Sequence, residues 1–356
     1  MEGLTFVLGA LLLTLVFWDL FQTVVVPRPT PGWFRIGRYL VRGSWRLLRA
    51  IRDGRPGRSY DRVLGLFAPA ATVALLAAWL AGLIVGYGLI LFTLRDQLRP
   101  VPMDLGACLY FAATSVLTLG FGDIVAEGGA ARVIVTIAAI SGLGVVALVV
   151  TFLFSLYGSY QRREARVVVL QAAAGAPPSA VALLESYAML DLVGRLPDLF
   201  REWETWAAEV LDSHVAYPLL GYFRSSHDDL SWISALGTML DASSLVLTTI
   251  VGVPRGEAKL FKRMGTHLVE DITNLGFRAD RAMELDRSAF DAACDRLVDA
   301  GYQLAPREEA WPTFEAARAT YADRLQSLAT YLATPSAQWL GDPIVLRQPL
   351  HRTDDP

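Results

Sequence analysis

Glycines at alternate positions could align a row of backbone carbonyl groups, and two short stretches of the sequence with this arrangement are candidates for such a row. They are Val-Gly-Tyr-Gly at residues 85–88 and Thr-Leu-Gly-Phe-Gly-Asp at residues 118–123. Glycine accepts backbone angles that other residues avoid, so successive carbonyl oxygens can turn to one side of the chain. Such a row of oxygens can replace the water around a monovalent cation. Whether either stretch does so depends on the elements around it.

Three uncharged apolar stretches indicate helices that cross a membrane. They are residues 4–18, with apolar character continuing past Asp19 to Val26, residues 63–94 and residues 133–157. The hydrophobic fraction of 53% and the mean hydropathy of +0.38 agree with a membrane protein. Because the first stretch lacks the basic start and small-residue cleavage site of a signal peptide, we predict that it is a retained span.

Arginine predicts the orientation of these spans. Residues 27–62 contain 10 arginines and 2 aspartates, and residues 161–166 contain 3 further arginines. The positive-inside rule places both segments in the cytoplasm, with the N-terminus and residues 95–132 outside. Residues 1–160 carry a net charge of +5 and residues 161–356 a net charge of −8. This asymmetry predicts a membrane domain followed by an acidic cytoplasmic domain, and it argues against a nucleic-acid partner.

The second glycine stretch follows an apolar segment of half the length of a membrane span. Residues 104–117, with Asp104 as the expected N-cap, would form a helix of about 21 Å that enters from outside and stops partway. The negative end of its dipole would face the backbone of residues 118–122. Asp123 and Glu127, just beyond, would concentrate cations at the outer end.

The first glycine stretch has no comparable surroundings. If residues 85–88 were the cation site, only residues 63–84 would remain to form both an outer helix and a half-length helix, and 22 residues cross a bilayer once. Gly82 and Gly86 instead form a Gly-x-x-x-Gly pair, which predicts close approach of a neighbouring helix.

The order of outer helix, half-length helix, TLGFGD and inner helix over residues 62–160 resembles the pore domain of the tetrameric potassium-channel family. The resemblance implies that residues 118–122 line a selectivity filter, with Asp123 above it. The implied filter residues are Thr118, Leu119, Gly120, Phe121 and Gly122. Tyr110 and Phe111 would form an aromatic cuff around them.

Three positions depart from the usual pattern of that family. Phe121 replaces the more usual tyrosine, a variant found in potassium-selective members. Leu117 stands where a threonine or another small residue is usual, and Thr114 stands where many members have a buried acid behind the filter. Potassium selectivity is still expected with these changes. The inactivation behaviour of the family is not expected to carry over to this chain.

The resemblance implies a potassium-selective channel in the plasma (inner) membrane of a prokaryote, with K+ as the permeant ion and no organic cofactor. Because one chain has a single such loop, the pore would be a homotetramer. Two alternatives stay open: a non-selective cation channel, and a membrane-anchored signalling protein with a vestigial pore. We find no nucleophile–base motif or Walker loop, so an enzyme is not predicted.

Residues 33–52 place arginines three and four positions apart, on one face of a helix. They are Arg35, Arg38, Arg42, Arg46, Arg49 and Arg52. A voltage sensor requires its arginines inside a spanning helix among countercharges. Half of this helix's circumference is basic, which favours an amphipathic helix on the inner leaflet in contact with anionic lipids.

Two features within the predicted spans have competing interpretations. Gly142 and Gly144, midway along the inner helix predicted over residues 131–157, could form a gating hinge or allow close packing against the pore helix. Asp19, within the first span, is expected to pair with an arginine of the interfacial helix or with Gln22 or Thr23, and less readily to handle ions.

Residues 161–356 are predicted to be mostly helical, from apolar stripes at residues 199–210 and 314–328. Residues 245–253 have the composition of a single strand. His214, His227 and His267 lack metal-ligand spacing, Cys108 and Cys294 imply no disulfide framework, and no dinucleotide-binding motif is present. We expect this domain to assemble or regulate the channel, and the sequence does not specify its ligand.

The sequence thus predicts an all-α integral membrane protein with three transmembrane helices and a re-entrant pore helix, filter and helical cytoplasmic domain. The predicted segments are an N-terminal span at 1–26, an arginine-rich interfacial segment at 27–62, a pore domain at 63–160 and a cytoplasmic domain at 161–356.

Overall fold

The structure of the protein is a computed structural model that describes residues 2–26, 36–53, 58–225, 229–274 and 285–342. The chain separates into two compact units. The first comprises Met1–Gly158 and Val215–Phe223, and the second comprises Ser159–His214 and Arg224–Pro356. The short segment 215–223 therefore belongs to the first unit, although it lies within the sequence of the second.

Within the described residues, the first unit contains five helices, three of which are long and apolar enough to cross a membrane. The helices are α1 Glu2–Leu20, continued by a π-helical segment Phe21–Val25, α2 Ile36–Asp53, α3 Arg58–Thr93, α4 Leu105–Val116 and α5 Gly129–Ala174. The candidate spans are Glu2–Val25, Val63–Thr93 and Gly129–Ala174. The predicted fold class, an all-α membrane protein, is confirmed.

Glycines bring α1 and α3 into close contact. A Cβ atom on Gly86 would lie 2.6 Å from Leu13 Cδ2, and one on Gly9 would lie 2.8 Å from the carbonyl oxygen of Gly86. A Cβ on Gly82 would meet Val16 Cγ2 at 2.6 Å. The backbones can approach this closely only without side chains at these positions. The prediction that Gly82 and Gly86 allow a neighbouring helix to approach is confirmed, and residues 85–88 lie within the continuous helix α3.

Asp19 is buried within the first unit and is hydrogen-bonded to two neighbouring helices. The side chain is fully buried, and its Oδ2 accepts a hydrogen bond from Trp79 Nε1 at 2.8 Å. The backbone N–H of Gly37, in the first turn of α2, lies 3.3 Å from the same oxygen. These two partners, an indole of α3 and a backbone amide of α2, are not the arginine, Gln22 or Thr23 that the sequence predicted. These hydrogen bonds join α1, α2 and α3 around one carboxylate.

Helix α2 is amphipathic and is not among the candidate spans. One face, with Val41 and Trp45, is buried, whereas the apolar side chains of Leu40, Leu47 and Ile51 are exposed. Arg46 is exposed, and Arg42 and Arg49 are half-buried. Arg35 and the side chains of Arg38 and Arg52 lie outside the described residues.

The inner helix α5 is longer than predicted, because it does not end at Tyr157 but continues to Ala174. The arginines and the glutamate of residues 161–166 lie on this continuation. Straight-chain charged residues favour helix as strongly as apolar ones do, so the change from apolar to charged residues marks the predicted limit of the membrane and not the end of the helix.

The second unit is a helical bundle around a central buried helix, α8. Its helices are α6 Ala180–Met189, α7 Leu196–Ala216, α8 Trp232–Thr248, α9 Gly256–Asn274, α10 Arg287–Asp299, α11 Arg307–Ala319 and α12 Ala322–Leu332. Every residue of α8 from Trp232 to Val246 is buried. Asp241 of α8 accepts hydrogen bonds from Tyr321 Oη at 2.6 Å and Arg318 Nε at 3.2 Å, which fix the end of α11 and the start of α12 to the core.

Two expectations for this unit were wrong in detail. The stripe at 199–210 lies on one helix, but the stripe at 314–328 crosses a break at Thr320 and Tyr321 between α11 and α12. Residues 245–248 belong to α8, and the strand is limited to Ile250–Val251, which pairs antiparallel with Gln303–Leu304. Both misjudged segments contain apolar residues whose spacing alone does not reveal a local break.

Candidate functional site

The predicted pore helix is present as α4, Leu105–Val116. The side chain of Asp104 accepts a hydrogen bond from the backbone N–H of Ala107 at 2.8 Å, which is the predicted N-cap. Twelve residues make a helix of about 18 Å, too short to cross a bilayer. The helix ends where residues 118–123 begin, so its carbonyl end points toward them.

The backbone after α4 alternates in handedness. Thr118, Gly120 and Gly122 have φ values of 56°, 62° and 80°, whereas Leu119 and Phe121 between them do not have positive φ. Alternation of this kind can turn successive carbonyl oxygens to the same side of the chain. A β-branched residue such as Thr118 is rarely found at positive φ, and strain of this type is concentrated at functional sites.

The start of this segment is fixed to the pore helix. The backbone N–H of Thr118 donates to Ser115 O at 3.1 Å, and that of Leu119 donates to Thr114 O at 2.8 Å. The hydroxyls of Thr114 and Ser115 both donate hydrogen bonds to the carbonyl oxygen of Phe111 within the helix. The carbonyls of Thr114 and Ser115 are thus satisfied locally, and Thr114 places a hydroxyl where a carboxylate is common in the family that this segment resembles.

Residues 117–123 are exposed in the single chain, including the large apolar side chains of Leu119 and Phe121 at 54% and 67% of their surface. A Cβ atom added to Gly120 or Gly122 would meet nothing within 4 Å. The requirement for glycine here therefore comes from backbone conformation alone within one chain. Next to the segment lies an open groove of about 600 Å³, lined by α4, residues 118–126 and the first turns of α5.

Two contacts stabilise the C-terminal end of the segment, which is the predicted outer mouth. Tyr110 Oη donates a hydrogen bond to Asp123 Oδ2 at 2.8 Å, which joins α4 to the predicted mouth. Glu127 lies near Arg99, with Oε2 3.5 Å from Nε, so its charge is partly balanced. Phe111, the other residue of the predicted cuff, is buried and lines the same groove as Thr118 and Gly120.

A short two-stranded ladder connects the mouth to the end of α3. Strand β1, Leu98–Arg99, pairs antiparallel with β2, Val125–Ala126. Gln97 accepts backbone hydrogen bonds from Glu127 and Gly128, and its side chain accepts one from Ala131 N. Gln97 was not predicted from its residue type, although its position between the second predicted span and residues 118–123 was a usable signal.

The two candidate hinge glycines have different surroundings. A Cβ atom on Gly142 would lie 1.8 Å from the carbonyl oxygen of Val116, the last residue of α4. A Cβ on Gly144 would meet nothing within 4 Å. Gly142 thus has the close packing against the pore helix that was weighed against a hinge, and Gly144 does not.

The other candidate residues lie on other helices than α4 and α5. The predicted lipid contacts Arg42, Arg46 and Arg49 lie on α2. His214 and His267 lie on separate helices of the second unit, α7 and α9, and His227 lies outside the described residues. Within the described ranges, no group of three or more His, Cys, Asp or Glu side chains could hold a metal ion.

Comparison with protein families gives one match. A family model described as "Ion channel" matches residues 73–158, which contain most of α3, all of α4, residues 118–123 and the first part of α5. No curated protein and no solved structure matched the chain. The match thus includes α4 and residues 118–123. Together with the three apolar helices, it indicates an ion-channel domain in a membrane protein.

Proposed function

We propose that the chain is one subunit of a homotetrameric, potassium-selective channel that conducts K+ passively. The carbonyl oxygens of residues 118–121 and the Thr118 hydroxyl replace the hydration shell of the ion. The observation that supports this most strongly is the alternation of positive φ at Thr118, Gly120 and Gly122, directly after a helix that stops partway.

Electrostatics favours a cation at this position. The carbonyl end of α4 carries the negative end of the helix dipole and faces the inner side of the filter. Asp123, held by Tyr110, adds a carboxylate at the outer mouth. Glu127 contributes less, because Arg99 balances part of its charge. The potential along the path therefore attracts cations and repels anions.

Four copies are needed because one filter strand cannot enclose an ion. The apolar side chains exposed along α5 recur every three or four residues, which defines one face of the helix. They are Val133, Ile137, Ile140, Leu143, Val146, Val150 and Phe154. With Leu119, Phe121 and the open groove next to them, this face supports contact with neighbouring copies and with lipid.

The proposed location is the plasma membrane of a prokaryote, with the N-terminus outside and the second unit in the cytoplasm. Helix α2 then lies at the inner leaflet. Its exposed Leu40, Leu47 and Ile51 enter the acyl boundary, and Arg46 together with Arg42 and Arg49 contacts anionic head groups. Gating occurs at α5 under control of the second unit.

A liposome flux assay tests the proposal. Purified protein is reconstituted with K+ or Na+ gradients, with and without Ba2+, and wild type is compared with Gly120→Ala. We expect the substitution to abolish K+ flux or its selectivity, because alanine is strained at a φ of 62°. In the proposed tetramer, all four filter strands around the pore axis would carry this strain.

Gly129→Ala is the matched control, since a Cβ there also meets nothing within 4 Å but the residue begins helix α5 without a positive φ. It should conduct like the wild type. Equal K+ and Na+ flux in the wild type would favour a non-selective cation channel, and no flux would favour a signalling protein with a vestigial pore. Selective flux in Gly120→Ala would contradict the proposed filter.

A further inference from the structure

One segment of the C-terminal half belongs to the first unit. The chain leaves the second unit after His214, contributes residues 215–223 (VAYPLLGYF) to the first, and returns at Arg224. This coupling segment contains one 3₁₀ turn, Pro218–Tyr222. Proline at the start of the turn restricts its backbone, so the segment has a defined shape between its two ends.

The coupling segment contacts the inner helix through two aromatic pairs. Tyr217 and Phe152 have ring centroids 5.6 Å apart at an interplanar angle of 73°, and Phe223 and Tyr157 are 5.7 Å apart at 82°. Edge-to-face geometry at this separation is the favourable arrangement of aromatic rings. Phe152 and Tyr157 lie in the half of α5 that leads toward the second unit.

A third aromatic residue of the coupling segment contacts two further helices of the first unit, α2 and α3. The ring of Tyr222 is 5.2 Å from that of Trp45 on α2 and 5.6 Å from that of Phe67 on α3, and these two rings are 4.9 Å apart. All three side chains are buried. The coupling segment therefore connects α5 to α2 and α3 through rings that exclude water.

Both ends of the coupling segment are fixed to the continuation of α5 within the second unit. His214 Nδ1 lies 2.8 Å from Val210 O, which can only accept, so Nδ1 carries the proton and Nε2 accepts from Arg163 Nη1 at 3.1 Å. At the other end, Tyr160 Oη donates to Arg224 O at 3.2 Å. Tyr160 and Arg163 follow Tyr157 by one and two turns of the same helix.

These contacts have a mechanical consequence. A shift of the cytoplasmic half of α5 away from α3 must either break the ring contacts of Tyr217 and Phe223 or move Tyr222 relative to Trp45 and Phe67. The coupling segment is covalently joined to the second unit at residues 214 and 224. A rearrangement of the second unit would therefore pull on the segment that carries these rings. The coupling segment is thus placed where a conformational change in the second unit would alter the position of the inner helix.

We propose that residues 215–223 couple the second unit to the gate, by holding the cytoplasmic half of α5 in one of two positions. The proposal rests on the proposed channel function, because it requires α5 to line the conduction path. It assigns the gating control to a nine-residue segment and to four rings on three helices: Phe152, Tyr157, Trp45 and Phe67.

Single-channel recording in planar bilayers tests the proposal with Tyr217→Leu and Phe223→Leu in the full chain. Each substitution removes one ring pair with α5, and we expect open probability to change about two- to tenfold, in the same direction for both. Unitary conductance and the K+/Na+ reversal potential should not change, because the filter is not altered. Tyr217→Phe, which keeps the ring, should gate like the wild type.

Trp311→Leu is the matched control, since Trp311 forms a ring pair with Phe290 at 5.2 Å in the second unit and has no place in the coupling segment. It should leave open probability unchanged. Wild-type open probability in both Leu variants, or an equal change in Trp311→Leu, would overturn the proposal. A wild type without K+ flux would overturn the channel function and this proposal with it, whereas a conducting wild type with unaltered variants would overturn the coupling alone.

A cross-link provides a second test if the Leu variants fail to fold. Phe152→Cys with Tyr217→Cys is joined by a short bifunctional thiol reagent after reconstitution, and native Cys108 and Cys294 are both buried. We expect the cross-link to suppress transitions between open and closed states. The same reagent should leave the gating of each single-Cys variant as it was in that variant before treatment. Unchanged gating after complete cross-linking would show that this contact does not control the inner helix.

Discussion

At the scale of single residues, Thr118 combines strain with a hydroxyl. Its φ of 56° is unfavourable for a β-branched side chain. We predict that Thr118→Val, which keeps shape and branching but loses the hydroxyl, lowers the K+/Na+ flux ratio about tenfold. Thr118→Ser, which keeps the hydroxyl, should retain selectivity in the same liposome assay. Equal ratios in both variants would show that the hydroxyl does not contact the ion.

A second residue-scale prediction concerns His214. Burial, with the Arg163 charge as a second cause, lowers the pKa of His214 to about 3 from its usual 6.5. The unfolded chain therefore binds one more proton than the folded chain between these pH values, and stability falls as pH decreases below 6.5. At pH 5.5 we expect His214 to reduce the free energy of unfolding by about 1.4 kcal/mol relative to pH 7.5.

Thermal unfolding of detergent-solubilised protein at these two pH values measures this effect. His214→Gln should lose less stability on acidification than the wild type, whereas His267→Gln, at an exposed histidine, should match the wild type. An acid sensitivity that is identical in all three proteins would contradict the assignment to His214.

The unusual backbone of residues 118–122 could be predicted from sequence because its signal is local, a Gly-x-Gly pair after an apolar half-length segment. The same local signal at 85–88 was correctly set aside because of its position within a span, and the structure places it in α3. The contacts of Tyr110 with Asp123, Glu127 with Arg99 and Gln97 with the mouth could not be predicted in the same way. They join residues 13 to 34 positions apart, or depend on a two-residue ladder that has no periodic pattern.

At the scale of helices, alanine substitutions of Gly142 and Gly144 test how closely α5 packs against the pore helix. A Cβ at 142 would overlap the carbonyl of Val116, so Gly142→Ala should destabilise the folded protein by about 1–3 kcal/mol and disturb the filter. Gly144→Ala has space for its Cβ and should gain about 1 kcal/mol of helix propensity. Thermal unfolding measures both changes.

Single-channel recording of Gly144→Ala tests whether Gly144 is a gating hinge. If it is a hinge, Gly144→Ala changes open probability in single-channel recordings without loss of stability. If open probability is unchanged in that variant, the hinge is removed from consideration at 144, and the close approach to Val116 accounts for glycine at 142.

Helix boundaries were predictable where composition changes abruptly, and less so elsewhere. The three spans follow from uncharged runs, and Asp104 marks the start of α4. The end of α5 could not be derived, because arginine and glutamate continue a helix as readily as leucine does. The partners of Asp19 were also not predictable, since Trp79 is 60 residues away and the second partner is a backbone amide.

At the scale of the whole molecule, we predict four copies in the functional assembly. Native mass spectrometry of the detergent-solubilised protein should give four times the 38.9 kDa of one chain. The exposed face of α5 and the groove next to the filter segment are the surfaces that support this contact. Phe154→Glu, on that face, should weaken the assembly, because it places a charge in an apolar interface. A monomeric wild type would contradict the proposed pore.

The reversal potential of the purified wild-type protein in a planar bilayer, with K+ on one side and Na+ on the other, tests the account most directly. Because the proposed filter replaces the water around K+ with backbone oxygens, we predict a reversal potential shifted strongly toward the K+ equilibrium potential, and a current that Ba2+ blocks. A reversal potential near zero at equal concentrations would show that residues 118–122 do not distinguish K+ from Na+, and would contradict the central claim.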